Sequence, residues 1–395
     1  MGEGAKGPLD GIRVVEFATM VSGPVAGQML ADLGAEVIKI EGVAGDPLRG
    51  VKPIHAGLSA WFVHCNRHKK SIALNLKSTE GLALARELCE RADVVLENFR
   101  PGVMGRLGLS YDALSAVNPG LIYASITGYG PDGPYADRAA YDHVIQGMSG
   151  VMRAQSMGGP PQGIRNVLVD KTAAINMTNA ILAALFHRER NGGAGQRVSV
   201  ALLNSFATVV GMDMMGNHTF RGSGVEPVAP VDIYHPLKTL DGYVIGHIQL
   251  QSQFEAMCHV FLRTDLLDDA RFNESFARAR HYEALWHAFA VGAAQRTNAE
   301  LLEDAARRGA ALGPVYSIDE FFDDPQVIHA QAWFDYDDPD VGVIRQLGFP
   351  ARLEASPANV QGRAPRLGEQ TDAILRDLGH ADAEVAAWRA ARVAA

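Results

Sequence analysis

Short apolar runs alternate along the first half of the chain with longer segments of helical spacing. Residues 12–17 (IRVVEF) and 36–41 (EVIKIE) are rich in β-branched residues and short enough to be buried strands. Between them, residues 24–33 begin with Pro and are followed by Gly34, the pairing that starts and stops a helix. Further strands are predicted at 71–74, 93–99 and 121–127, and helices at 79–91 and 111–117. Strands separated by helices in this way predict βαβ units and a parallel sheet covered on both faces. Ligands of such sheets bind beyond the carboxyl ends of the strands, which directs attention to the residues just after each one.

Residues 171–190 predict a long helix, apolar nearly all round and therefore buried against the sheet. Gly192, Gly193 and Gly195 end it, and a strand at 196–202 follows, then a Met-rich helical stretch to about residue 220. This first body, 1–220, reads as a large α/β domain of Rossmann-like pattern. Residues 221–236 turn to Gly, Pro and Val without period and read as a linker. A smaller α+β domain is predicted over 237–325, with a strand at 243–248 and helices at 254–261, 281–291 and 299–307. A second linker rich in Pro, Gly and Asp covers 326–368, and the helix-forming segment 369–395 returns to the large domain.

Composition narrows the function. The 395 residues are 47% hydrophobic and 21% charged, an ordinary globular balance that buries a core without staples. A formal net charge of −9 argues against nucleic-acid or anionic-membrane partners, although one local cluster of Arg suffices for an anionic ligand. The three cysteines, Cys65, Cys89 and Cys258, are scattered and form no C-x-x-C unit, so neither a disulfide framework nor a zinc site is expected. His64 and His68 are four apart with no metal-ligand set around them. Residues 1–8 lack the apolar core of a signal peptide, and no run is long enough to span a membrane. A cytoplasmic, metal-free protein is the expectation.

The doubly wound pattern invites a nicotinamide enzyme, with Glu41 where a ribose-binding acid would stand. The first turn, 18–24 (ATMVSGP), lacks the G-x-G-x-x-G that lets backbone approach a pyrophosphate. P-loop, G-x-S-x-G and H-E-x-x-H patterns are absent as well. One constellation remains: Tyr141-Asp142, then Asp170 at the start of the long helix, with Asn98, Phe99, Arg100 and Arg106 after the fourth strand. From local sequence alone Asp170 reads first as a helix N-cap; the same position also suits a carboxylate whose chemistry a helix N-terminus supports. Arg100 and Arg106 read as surface charge or as phosphate ligands.

An ordered set of motifs carries a family resemblance over 8 to about 206. It comprises 8–14 (PLDGIRV), 22–24 (SGP), 33–41 (LGAEVIKIE) followed by Gly45-Asp46, 66–71 (NRHKKS), 97–102 (ENFRPG), 107–109 (LGL), Asn118-Pro119, 128–130 (GYG) with Gly133-Pro134, Tyr141-Asp142, and 192–196 (GGAGQ). In these the chain resembles the class III CoA-transferases, the family of formyl-CoA transferase and carnitine CoA-transferase. The resemblance implies an interlocked homodimer, each chain with a Rossmann-like domain and a small domain, and long linkers threading the partner. It implies Asp170 as a nucleophile that passes through a mixed anhydride and an aspartyl-CoA thioester. It also implies an acyl-CoA and an organic acid as substrates, with no tightly bound cofactor. CoA-binding positions carried over are Val21 beside the reacting thioester, Leu74, Lys77, Asn98, Phe99, Arg100, Arg106, Tyr141 and Asp142. Two positions depart: Gly42 and Ala139 stand where formyl-CoA transferase has Arg and Lys, with Arg49 and Arg138 as candidate replacements. Its Gly-rich lid has a loose counterpart in 222–224. The expected acid is a dicarboxylate or a branched acid. Three alternatives use the same frame: an α-methylacyl-CoA racemase, disfavoured because Tyr141 replaces its His and His143 is expected to point elsewhere; intramolecular CoA transfer; and a non-catalytic acyl-CoA-binding protein.

Overall fold

The computed structural model describes residues 7–222, 224, 226–228, 233, 235–360 and 362–395. Residue 223 of the candidate lid, and most of 229–234 in the first expected linker, lie outside the described residues. Two compact units emerge, one of Met1–His218 with Gln331–Ala395, the other of Thr219–Ala330.

The first unit is built on six parallel strands: β1 (Arg13–Glu16), β2 (Glu36–Glu41), β3 (Lys70–Ala73), β4 (Val94–Glu97), β5 (Ile122–Thr127) and β6 (Gln196–Ala201). Their spatial order is β3-β2-β1-β4-β5-β6. The chain thus runs outward from β1 to β3, returns to β4, and runs outward the other way. The point of reversal lies between β1 and β4, the place on such sheets where ligands bind beyond the carboxyl ends of the strands.

Helices α1 (Ser22–Asp32), α2 (Ala60–Asn66), α3 (Thr79–Glu90), α4 (Asp142–Met148), α5 (Leu168–Arg190) and α6 (Leu202–Met214) lie in the connections and after β6. Successive strand residues point to opposite faces. Val14, Val37, Val94 and Leu96 accordingly pack with Ala26 and Leu30 of α1 and Val169, Ala173, Met177 and Ile181 of α5. Val15, Ile38 and Val95 pack on the other face with Leu84 and Leu88 of α3 and with Leu375 and Val385 near the carboxyl terminus. Burying each large apolar side chain contributes roughly 1.5–3 kcal/mol, so the sheet is anchored on both sides.

Helix α5 departs from the expectation of burial all round. Its inner face is buried, but Ile175 and Phe186 are exposed, the latter 64%. An all-apolar helix has more surface than one sheet face covers. Asp170 is not its N-cap either; Val167 holds that position and Asp170 is the third helical residue. Within the stretch expected to be a second linker, Trp333–Asp338 and Gly342–Leu347 pair as an antiparallel hairpin. Alternating side chains there outweigh the flanking Gly and Pro.

The second unit has a three-stranded antiparallel sheet, with β8 (Tyr243–His247) between β7 (Leu237–Lys238) and β9 (Ala311–Pro314). Phe254, Met257, Phe261, Trp286, Phe289 and Leu301 form its core. A cavity of about 240 Å³ in this unit is lined by His247, Gln249, Arg278 and Tyr282. Arg278 is engaged there, its Nη1 donating to the Phe272 carbonyl at 2.8 Å.

Candidate active site

The loop after β1 is held from below by a knot of buried charge. Lys39 of β2 ion-pairs with Glu16 of β1 and with Asp46, both at 3.0 Å, and donates to the Ala18 carbonyl at 2.6 Å. Lys69 ion-pairs with the other oxygen of Glu16 at 2.7 Å and donates to the Pro24 carbonyl at 2.7 Å and Asn66 Oδ1 at 2.9 Å. The side chains of Glu16, Lys39, Asp46 and Lys69 are all fully buried. Burial would lower Lys39, but Glu16, Asp46 and Glu41 hold it above its ordinary value. Lys69 falls to about 8, through burial and then the like charge of Lys39, against the pull of Glu16. Buried charges of this kind are tolerated only when fully paired. Here the pairing has a structural product: the carbonyls of Ala18 and Pro24, at either end of the loop, are both tied down. Asp46 Oδ1 also accepts from the Met20 N–H at 3.2 Å, where Met20 sits at a left-handed φ of 64°.

Asn98 reaches the same loop from β4 across the point of reversal. Its Oδ1 accepts from the Thr19 N–H at 2.9 Å, and its Nδ2 donates to the Thr19 carbonyl at 2.8 Å and Ser22 Oγ at 3.3 Å. Gly23 follows; a Cβ there would lie 2.2 Å from the Ala18 side chain and 3.4 Å from Asn98, so no larger residue fits. Glu97 fixes the turn after β4 by accepting from Phe99 N–H at 2.8 Å and from the Ser125 hydroxyl.

Asp170 meets Ser22 here. Its carboxyl is pushed up to about 6, first by burial and then by the charge of Asp142; a hydrogen bond from Ser22 and the charge of His143 work in the opposite direction. Asp142, 3% exposed, supplies the cap that the sequence of α5 lacks. Its Oδ2 accepts from the N–H groups of Val169 at 2.7 Å and Asp170 at 3.3 Å, and its Oδ1 accepts from Gln146 Nε2 at 2.7 Å. Gln146 in turn bonds backbone at Ile164 and Asn166, so the start of α5 is clamped from α4.

The structure therefore gathers Val21, Asn98, Asp142 and Asp170 around Ser22. Phe99 is partly buried against the core, and Arg100 and Arg106 are exposed after β4. Leu74 is fully buried at the end of β3 and Lys77 exposed just beyond it, with β2 and β1 between them and Asn98 in the sheet. Tyr141 is 68% exposed. Arg49 is held by Glu41 at 2.6 and 2.8 Å and donates to the Pro365 carbonyl, which engages both it and the acid considered for ribose. Arg138 lies over the Tyr135 ring. His143 is exposed on α4, and its charge is felt by Asp170. No cluster of three or more metal-ligating side chains occurs among the described residues.

Sequence reasoning missed Gln146, although the i, i+4 spacing from Asp142 places both on one helix face. It also missed Ser22, quoted only within a motif, and the charged knot.

Residues 9–371 match the sequence pattern of the family described as CoA-transferase family III. The chain is 37% identical to a succinate–glutarate CoA-transferase of Agrobacterium fabrum, covering 94% of this chain and 96% of that one. It is 34% identical to a succinyl-CoA–D-citramalate CoA-transferase of Chloroflexus aurantiacus, over 98% of each. A crystal structure of a CAIB/BAIF family protein from Brucella suis superposes with a TM-score of 0.83 at 35% identity, covering 94% of this chain and all of that one.

Proposed function

This chain belongs to CoA-transferase family III, and on that premise we propose that it moves CoA from an acyl-CoA to a dicarboxylate through covalent intermediates on Asp170. The observation that carries the reading is the Asp170 carboxyl itself, half-buried at the start of α5 and pushed up to about 6 by burial and the charge of Asp142. At neutral pH it is ionised yet poorly solvated, the state of a carboxylate ready to attack.

Asp170 attacks the thioester carbonyl and the C–S bond breaks, leaving an acyl-aspartyl anhydride and CoA thiolate. The thiolate attacks the aspartyl carbonyl, the C–O bond to the acyl group breaks, and the donor acid leaves. The acceptor carboxylate then attacks the aspartyl-CoA thioester and the sequence runs in reverse. Both acyl-aspartyl species hydrolyse if water enters, so burial of Asp170 protects them. Arg100 and Arg106 are proposed to meet CoA phosphates, and Val21 to line the acyl pocket. Leu74, Lys77, Phe99 and Tyr141 are proposed to complete the CoA site.

A dicarboxylate acceptor is supported by the succinate, glutarate and citramalate in the names of the two relatives. A homodimer is supported by the apolar surface that α5 and α6 leave exposed, with Phe186 at 64% and Met212 at 80%. The proposed compartment is the cytoplasm, in keeping with three free, buried cysteines. No helix among the described residues is long and apolar enough to cross a membrane.

The test is trapping. Incubation with succinyl-CoA or glutaryl-CoA, quenching with hydroxylamine and peptide mass spectrometry is expected to give a hydroxamate on Asp170. Full transferase activity in Asp170→Asn refutes the reading. A second reading, proton exchange at the acyl α-carbon, is favoured by His143 lying within electrostatic reach of Asp170. Deuterium uptake from heavy water without CoA transfer would select it.

A further inference from the structure

The geometry points to Ser22 as a second catalytic residue, one that donates a hydrogen bond to the carboxylate of Asp170 before reaction and to its carbonyl oxygen once it is acylated, with Asn98 as the residue that positions it. This inference rests on the reading of Asp170 as nucleophile and adds a group for which the motif resemblance implied no role.

The Asn98 amide has one orientation, because its Oδ1 accepts from the Thr19 N–H at 2.9 Å. Its Nδ2 is then the donor, one hydrogen going to the Thr19 carbonyl at 2.8 Å and the other to Ser22 Oγ at 3.3 Å. A hydroxyl has one hydrogen to give. With Asn98 filling an acceptor position on Oγ, that hydrogen is left for the neighbouring Asp170 carboxyl, whose ionised form Ser22 favours. Ser22 is 5% exposed, so water is a poor competitor. Lys39, Asp46 and Lys69 fix the loop that presents it.

The same hydrogen is useful after acylation. When the thiolate attacks the aspartyl carbon, the carbonyl electron pair moves onto oxygen, and it returns as the C–O bond to the donor acid breaks. No proton is exchanged. A neutral donor held beside that carboxyl stabilises the transient negative charge on its oxygen, and removing one such donor typically lowers kcat by about 10²–10³-fold.

The groups that act on the Asp170 carboxyl are Ser22 from α1 and, through their charge, Asp142 and His143 from α4. Ser22→Ala is suited to the test, since Ala is favourable in a first helical turn. With succinyl-CoA and glutarate, kcat is expected to fall roughly 10²-fold while KM for the CoA donor changes less than about threefold. The acid limb of kcat/KM is expected to move to higher pH, because a donor to the ionised form is gone. Ser22→Thr keeps the hydroxyl and should retain both limb and rate. Asn98→Ala should resemble Ser22→Ala, and the double variant should lose little more, as for residues acting through one bond. Unchanged kcat and acid limb in Ser22→Ala, with Asp170→Asn inactive, would overturn the role of Ser22 and leave the nucleophile standing. Activity in Asp170→Asn would overturn both.

Discussion

Replacing Asp170 by Asn should make the protein inactive and, above pH 6, more stable. The folded chain raises this carboxyl from 3.8 to about 6, so the folded state holds its proton more tightly than the unfolded chain does. The sign follows from linkage: ionising Asp170 disfavours the fold, the penalty is absent below the unfolded value near 4, and it is complete above about 6. A difference of about 2 in pKa corresponds to roughly 3 kcal/mol at neutral pH, an upper figure for a half-buried group. Asn keeps the shape and can still accept from Ser22, but carries no charge. Over a domain of this size, 3 kcal/mol amounts to roughly 3–5 °C in Tm. Scanning calorimetry of both proteins from pH 4 to 8 is expected to give matching Tm values at the acid end and a gap that opens mainly between pH 4 and 6. A pH-independent gap, or an Asn variant less stable at pH 8, would refute the claim that Asp170 is held in a destabilised ionised state.

Three further outcomes are expected. Asp142→Asn removes the negative neighbour of Asp170, so the acid limb of kcat/KM should move to lower pH, opposite to Ser22→Ala. An amide facing Gln146 should also lower stability by about 1–3 kcal/mol in denaturant titrations. Lys39→Met leaves Glu16 and Asp46 short of a cation and should cost about 3–5 kcal/mol of stability by urea unfolding, whereas a cost under about 1 kcal/mol would mean that the knot is not holding the loop. Arg106→Ala should raise KM for the CoA donor roughly tenfold with little change in kcat in steady-state assays, because a phosphate contact contributes to binding rather than bond making; an unchanged KM would remove Arg106 from the CoA site.

The parallel sheet was legible because its strands are apolar on both faces; Val14-Val15 and Val94-Val95 leave little room for a helical reading. The start of α5 was not. Asp170 stands where a cap is expected, yet the cap is Asp142, twenty-eight residues earlier and on another helix, a partner that no local pattern contains. Lys39 and Lys69 were read within motifs but not as buried, since a lone Lys in a strand says nothing of the carboxylates folding brings to it. The face of α5 bearing Ile175 and Phe186 was read as core because composition tells how apolar a helix is, not what covers it.

The buried knot has an evolutionary reading. Two cations and two anions, drawn from β1, β2 and the segments after β2 and α2, balance one another with their side chains fully buried. Changing any one of them singly strands its partners, so descendants that differ there by one step pass through poorly folded intermediates. Divergence in substrate preference then has an easier route through what hangs on the knot, such as Met20 and Val21, than through the knot itself. A laboratory search for new acyl specificities is best confined to that overhang, with the four charges left as found.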